Sequence, residues 1–215
     1  MRRKMLWLIL LFGILSSGCQ TVYNTTMEKV FGYEKRQLLT KAVASLRKDE
    51  QKAQQEFKDA MTQLKELYGF QGDKLEDTYN KFKAAYDDAT SQSDVVHNRI
   101  QNMENIAGSM FSEWEKEIKQ YSNPTFAADS KRNLAETKSR YSQLLKAVRA
   151  SEESMKPVLT QLKDHVLYLK HNLNAAAIGS LKGEALSIQS QIEQLIERMN
   201  TSIAEADAFI KNMPK

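Results

Sequence analysis

The sequence predicts an all-α protein: an elongated antiparallel helical bundle or coiled coil of about four long helices, after an N-terminal signal peptide. Two observations predict it. Apolar residues recur at alternating three- and four-residue spacing along most of the chain, which keeps a narrow apolar seam on one face of a helix. Glycine and proline are scarce, 8 and 3 residues among 215, about half their ordinary share. A turn-rich sandwich or barrel needs such punctuation roughly every ten residues, so that class is excluded. No segment shows the two-residue alternation of a half-buried strand. With 41% hydrophobic and 27% charged residues, the chain is too apolar for the disordered class and sized for one domain.

Arg2, Arg3 and Lys4 give the chain a positive start, and an apolar run follows from Met5 to Leu15, interrupted only by Gly13. The run covers about half of a ~30 Å hydrocarbon core, too little for an ordinary spanning helix. It has the size of a signal-peptide apolar region. Ser16, Ser17 and Gly18 then lead into Cys19, the only cysteine. This resembles a bacterial lipoprotein signal. Residues 1–18 are accordingly expected to be a signal peptide, Cys19 the lipid attachment site, and 19–26 a lipid-anchored tether ahead of a bundle over 27–215. A lone cysteine forms no internal disulfide, which fits that use. Gln20 after the cysteine favours, by resemblance to known sorting signals, an outer-membrane lipoprotein facing the periplasm.

Removing the signal changes the charge. The 31 Lys and Arg residues fall to 28 without Arg2, Arg3 and Lys4, against 27 Asp and Glu. Basic and acidic residues then interleave with almost no net charge. Clustered cations able to neutralise phosphates are missing, so no nucleic-acid partner is expected.

Four seams follow in order. The first runs Leu39, Val43, Leu46, Glu50, Ala53, Phe57, Ala60, Leu64, Leu67. The second begins at Leu75 and passes Tyr79, Phe82, Tyr86, Ala89, Ser93 and Val96 on its way to Trp114. The third begins at Leu134 and passes Lys138, Tyr141, Leu145, Val148, Glu152, Met155, Leu159 and Leu162 towards Leu173. The fourth runs from Leu181 through Ile188, Leu195 and Ser202 to Met213. The polar members Glu50, Ser93, Lys138, Glu152 and Ser202 are expected to fix register or to lie near solvent.

Three breaks separate the seams. Gly69-Phe70-Gln71-Gly72 stops the first, and Asp73 with Glu76 forms a capping box for the second. Ser122-Asn123-Pro124 ends the second, because proline disfavours the α conformation at the residue before it. His171-Asn172-Leu173-Asn174 is a softer third break, and a continuous helix there would leave a three-helix bundle. Pro157 should kink the third segment. Helices of about 37 to 49 residues, roughly 55–70 Å each, follow from the rise per residue. Short connections make successive helices antiparallel.

Catalytic signatures are missing from the sequence. It has neither a G-x-x-x-x-G-K-[ST] loop nor a G-x-G-x-x-G loop, and no G-x-S-x-G elbow. His165 and His171 are six residues apart and point in different directions on a helix. Asp94 and His97 have the spacing of half a carboxylate-bridged di-iron site, but such sites need two Glu-x-x-His pairs. The acidic pairs Glu152-Glu153 and Asp87-Asp88 lie among Lys and Arg, as on a solvated face. No enzyme activity, cofactor or metal is expected.

Two stretches exceed what a seam needs. Trp114 to Tyr121 should plug the bundle near the Pro124 turn. In His165 to Asn174, four consecutive apolar residues from Val166 to Leu169 are more than a two-position seam buries. Either several helices surround that level, or an apolar patch faces a partner. With Cys19 at the membrane, helix alternation places this stretch beside the Gly69–Asp73 turn at the far end. Leu167, Tyr168, His171, Asn172 and Asn174 are therefore the candidate docking residues.

Glu28-Lys-Val, Glu34-Lys-Arg, Phe111-Ser-Glu-Trp-Glu-Lys-Glu, Gln120-Tyr-Ser and Val166-Leu-Tyr-Leu-Lys-His-Asn-Leu-Asn174 with Ile178 resemble an uncharacterised bacterial lipoprotein family, domain of unknown function 2959. The resemblance spans essentially the whole chain after the signal, and its last motif is the most specific. It implies a Gram-negative envelope lipoprotein. The expected role is that of a non-enzymatic, lipid-anchored spacer or docking module with an envelope protein as partner. The alternative is a lipid- or hydrophobe-handling bundle that opens at the membrane surface.

Overall fold

The computed structural model describes residues 19–70 and 74–213, with side chains described from Lys35 onward. The expected signal segment 1–18, the Cys19 side chain and Asp73 of the expected capping box lie outside those described. Four helices make up the fold: α1 Cys19–Gly69, α2 Leu75–Ile118, α3 Pro124–His171 and α4 Ala175–Lys211. They sit at the corners of a square, α1 beside α2 and α4, and α3 beside the same two. This is an up-down four-helix bundle, and among the described residues no strand occurs. The segment 19–26, read as a tether, falls on the first turns of α1.

The connections follow from local chemistry. The Asn123 side chain accepts hydrogen bonds from the Thr125 and Phe126 amides, and Pro124 occupies the first helical position, where its missing N–H is no loss. The third break is a full turn. Asn172 caps the end of α3, and Asn174, in extended backbone, accepts from the Ala177 amide at 3.0 Å to start α4. The three-helix alternative is thereby set aside. The start of α2 differs from expectation. Its N-cap position is Lys74, whose side chain makes no cap, since an ammonium cannot accept from an amide. Glu76 and Asp77 in the first turn favour the positive helix end electrostatically instead. α3 runs on through Pro157, which is exposed; on an outer face water can take the place of the lost donor.

The core is a continuous column of buried side chains, with Phe57, Phe82, Leu46, Ile100, Met103, Met155 and Leu162 fully enclosed. Every seam residue of α1 from Leu39 to Leu67 is buried. On α2 and α3 the stripe lies partly one residue earlier than expected. Ala85 and Gln92 are buried while Tyr86 and Ser93 sit at the edge; Thr137, Leu144, Ser151 and Val158 are buried while Lys138, Leu145, Glu152 and Leu159 flank them. Each helix here faces two neighbours, so it buries a stripe wider than a coiled-coil seam. Where one member of an adjacent pair is charged, as in Thr137-Lys138 and Ser151-Glu152, the uncharged one takes the inner place, because a charge resists desolvation. Lys138 stays at the rim, bonded to Glu115 at 2.5 Å and standing 5.5 Å over the Phe111 ring. The other expected plug holds in part. Trp114 is half-buried and donates to Ser130 Oγ at 2.8 Å, whereas Tyr121 stands exposed.

Candidate functional site

The up-down path brings the α1–α2 and α3–α4 connections to one end. Tyr68, one residue before the end of α1, meets His165 of α3, its hydroxyl 2.5 Å from Nδ1 with the rings edge to face. Tyr79, in the second turn of α2, donates to the Val166 carbonyl at 3.1 Å. These two bonds hold the apolar stretch of α3 against both neighbours of the first turn.

The stretch divides by helical rotation. Val166 and Leu169 face inward, 6% and 0% exposed, while Leu167 and Tyr168 face outward at 52% and 44%. One side of the stretch is thus packed into the core, and the other is exposed. Of the remaining docking candidates, His171 is exposed. Asn172 and Asn174 use their side chains on the backbone, Asn172 donating to the Tyr168 carbonyl at 2.9 Å and Asn174 capping α4. Leu186 of α4 is 68% exposed at the same end. It borders a groove of about 190 Å³ lined by Met61, Leu64, Tyr68 and Ala185, with Lys65 and Lys182 on the rim.

Beside this surface lies a relay that the sequence did not announce, running from buried Tyr68 and His165 out to exposed Glu184. His165 Nε2 lies 3.3 Å from Glu184 of α4, and Nδ1 meets Tyr68. A neutral imidazole with its proton on Nε2 satisfies the chain: Tyr68 donates to Nδ1 and Nε2 donates to the carboxylate. Burial holds the His165 pKa below its ordinary value, although Glu184 pulls the other way. Burial also pushes the Tyr68 phenol above its usual value, with Glu184 adding to the rise. The relay joins three helices, α1, α3 and α4.

A second polar cluster occupies the middle of the bundle, one residue from each helix. Glu50 of α1, Gln92 of α2, Ser151 of α3 and Ser202 of α4 are all buried. Ser202 Oγ donates to Glu50 Oε2 at 2.5 Å, and Gln92 Nε2 donates to the Asp49 carbonyl at 3.0 Å. Glu50 Oε1 and Ser151 Oγ each lack a partner at hydrogen-bonding geometry. Burial raises the Glu50 pKa from the ordinary 4.5 to about 7, with the nearby Ser202 and Ser151 hydroxyls restraining the rise. The seam pattern had placed Glu50 and Ser202 here but missed Gln92 and Ser151, assigning Ser93 and Glu152 in their stead.

The pair of di-iron spacing does not act as one. His97 turns to Glu152 of α3 and to Gln101. Burial works to raise the Glu152 pKa, but its bonds to His97 and Arg149 prevail and hold it below the ordinary value. Arg149 also bonds Glu104 at 2.5 Å, so this cluster is a charged clasp between α2 and α3.

Fold and site together define a long-helix antiparallel four-helix bundle with apolar side chains exposed at one end. The chain belongs to the family described as Protein of unknown function (DUF2959), whose model matches residues 23–213. That span includes nearly all of α1 and the whole of the other three helices. No curated protein and no solved structure matches the chain.

Proposed function

We propose that the protein is a non-enzymatic envelope lipoprotein, held to the outer membrane by lipid on Cys19, whose bundle is a spacer presenting its far end to an envelope partner. One observation carries the docking half of this reading. Leu167 and Tyr168 stand exposed side by side, although an inward turn of either would add to the core. Exposed aromatic and aliphatic neighbours of this kind are common anchors of binding hot spots. The spacer half rests on length: from Cys19 to Gly69 a straight helix rises about 75 Å. Among the described residues no helix is long and apolar enough to cross a membrane. The anchor half rests on the sequence, where Cys19 follows a signal-like segment.

A photo-crosslinking residue at Tyr168 of the full chain, expressed in its envelope, should capture one discrete protein, whereas the same residue at exposed Lys48 should not. Equal capture at both positions, or none at Tyr168, would reject the docking reading. Cys19→Ala should release the chain from the membrane fraction or leave it unprocessed. A processed, membrane-bound and unlipidated variant would reject the anchor.

A second reading, a lipid- or hydrophobe-handling bundle, is favoured by Leu186 and the apolar groove beside it, whose rim lysines Lys65 and Lys182 suit an anionic head group. A fatty acid that protects Leu186 and Met61 segments from hydrogen exchange would support it. An unchanged exchange pattern at saturating fatty acid would reject it.

A further inference from the structure

The mid-bundle cluster plays no part in docking or anchoring, and its geometry is unusual for a core. Glu50 is 0% exposed, yet only one of its carboxyl oxygens has a partner. The unpartnered Oε1 belongs to the same layer as the unpartnered Ser151 hydroxyl. An ionised carboxylate in such a place is heavily penalised unless a cation pairs with it.

The cations at this level are committed elsewhere. On α1, Arg47 sends Nη1 to Asp207 of α4 at 2.6 Å, and Asp49 takes Arg99 of α2 at 2.6 Å. On α3, Arg149 serves Glu104 and Glu152, and His97 of α2 also turns to Glu152. Arg47 Nε is buried without a partner, and what acts on the Glu50 proton is its burial together with the Ser202 and Ser151 hydroxyls. From α2 the group facing this level is the neutral Gln92 amide, and from α4 the Ser202 hydroxyl. A proton on Oε1 supplies what is missing, since the acid can donate to Ser151 Oγ and accept from Ser202.

We propose that Glu50, Ser151 and Ser202 form a proton-operated latch joining α1, α3 and α4: protonated Glu50 completes the layer and closes the bundle, and its ionisation parts the helices there to admit water. The direction with pH follows from the raised pKa. Stabilisation by the proton is fully present below the ordinary 4.5, declines as pH rises, and is gone above about 7. The latch therefore loosens across the acid-to-neutral range, opposite to a core held by ionised pairs.

Hydrogen exchange of the purified full chain, corrected for intrinsic rates, tests this. Between pH 5 and pH 8, protection of the segments around Glu50 and Ser202 should fall by a factor on the order of one hundred. In Glu50→Gln, which keeps the shape and cannot ionise, protection of both segments should stay level with pH. A parallel fall in wild type and Glu50→Gln, or level protection in wild type, would overturn the latch. If Glu50→Gln fails to fold, ¹³C-carboxyl NMR of the wild-type glutamates decides. One glutamate with its midpoint near neutrality supports the latch, and all midpoints in the ordinary carboxyl range refute it.

Discussion

The middle of the bundle and its far end use opposite chemistry. In the middle, Glu50 is hidden in a buried polar layer with one oxygen unpartnered. At the end, Leu167 and Tyr168 are turned to water while the buried His165 is hydrogen-bonded at both ring nitrogens. A buried polar group that is fully satisfied fixes helices in place; one that is partly satisfied leaves free energy to be released by a proton. The difference teaches why the proposed proton response is placed in the middle, where a buried group lacks a partner, and the proposed docking surface at the end, where apolar side chains meet water.

The largest effect should come from breaking the column that both regions share. Leu162 is fully buried one turn from His165, so Leu162→Asp should lose several kcal/mol of stability. Gln161→Asp, half-buried beside it, should change stability by within about 0.5 kcal/mol. Equal shifts in the melting temperatures of the two variants would show that the register is wrong.

Next in size is the relay. His165→Leu leaves the Tyr68 hydroxyl buried without its acceptor, a loss of about 1–3 kcal/mol. The same change alters the response to acid. The His165 pKa is depressed, so its contribution is present above the ordinary 6.5 and lost as pH falls below it. Thermal melts from pH 7.5 down to 5 should show the His165→Leu variant less sensitive to acid than wild type. An equal slope for both would contradict the relay's tautomer. The middle and the end would thus be distinguished by sign, since the Glu50 layer loosens as pH rises.

Much of this was legible in the sequence. The four seams, the Asn123-Pro124 turn and the Asn172–Asn174 turn follow from spacing and capping chemistry. So does the juxtaposition of the first and third connections, because short loops force alternation. What escaped has a physical reason. On α3, Thr137, Leu144, Ser151 and Val158 recur with the same seven-residue period as Lys138, Leu145, Glu152 and Leu159. Periodicity alone could not choose between them. The charges on Lys138 and Glu152 were the available signal, since desolvation favours the uncharged set. By that rule Glu50 should also have been outside, and its burial is what marks it as exceptional. The relay was beyond reach for another reason: Tyr68, His165 and Glu184 lie far apart in sequence and meet only through the square packing. At the end of α3, the pattern showed too many apolar residues for one seam but not which of them turn outward.

The smallest effect on stability belongs to the proposed docking surface, and it bears on the central claim. Leu167→Ser with Tyr168→Ala removes two exposed side chains, so helicity and membrane attachment should be unchanged and stability should move by within about 0.5 kcal/mol. The decisive measurement is capture of the envelope partner by a photo-crosslinker at His171, compared between this double variant and the otherwise unaltered chain. Capture reduced several-fold with the melting curve intact is the predicted result. Undiminished capture, or a double variant that unfolds, would contradict a bundle whose far end is built for docking.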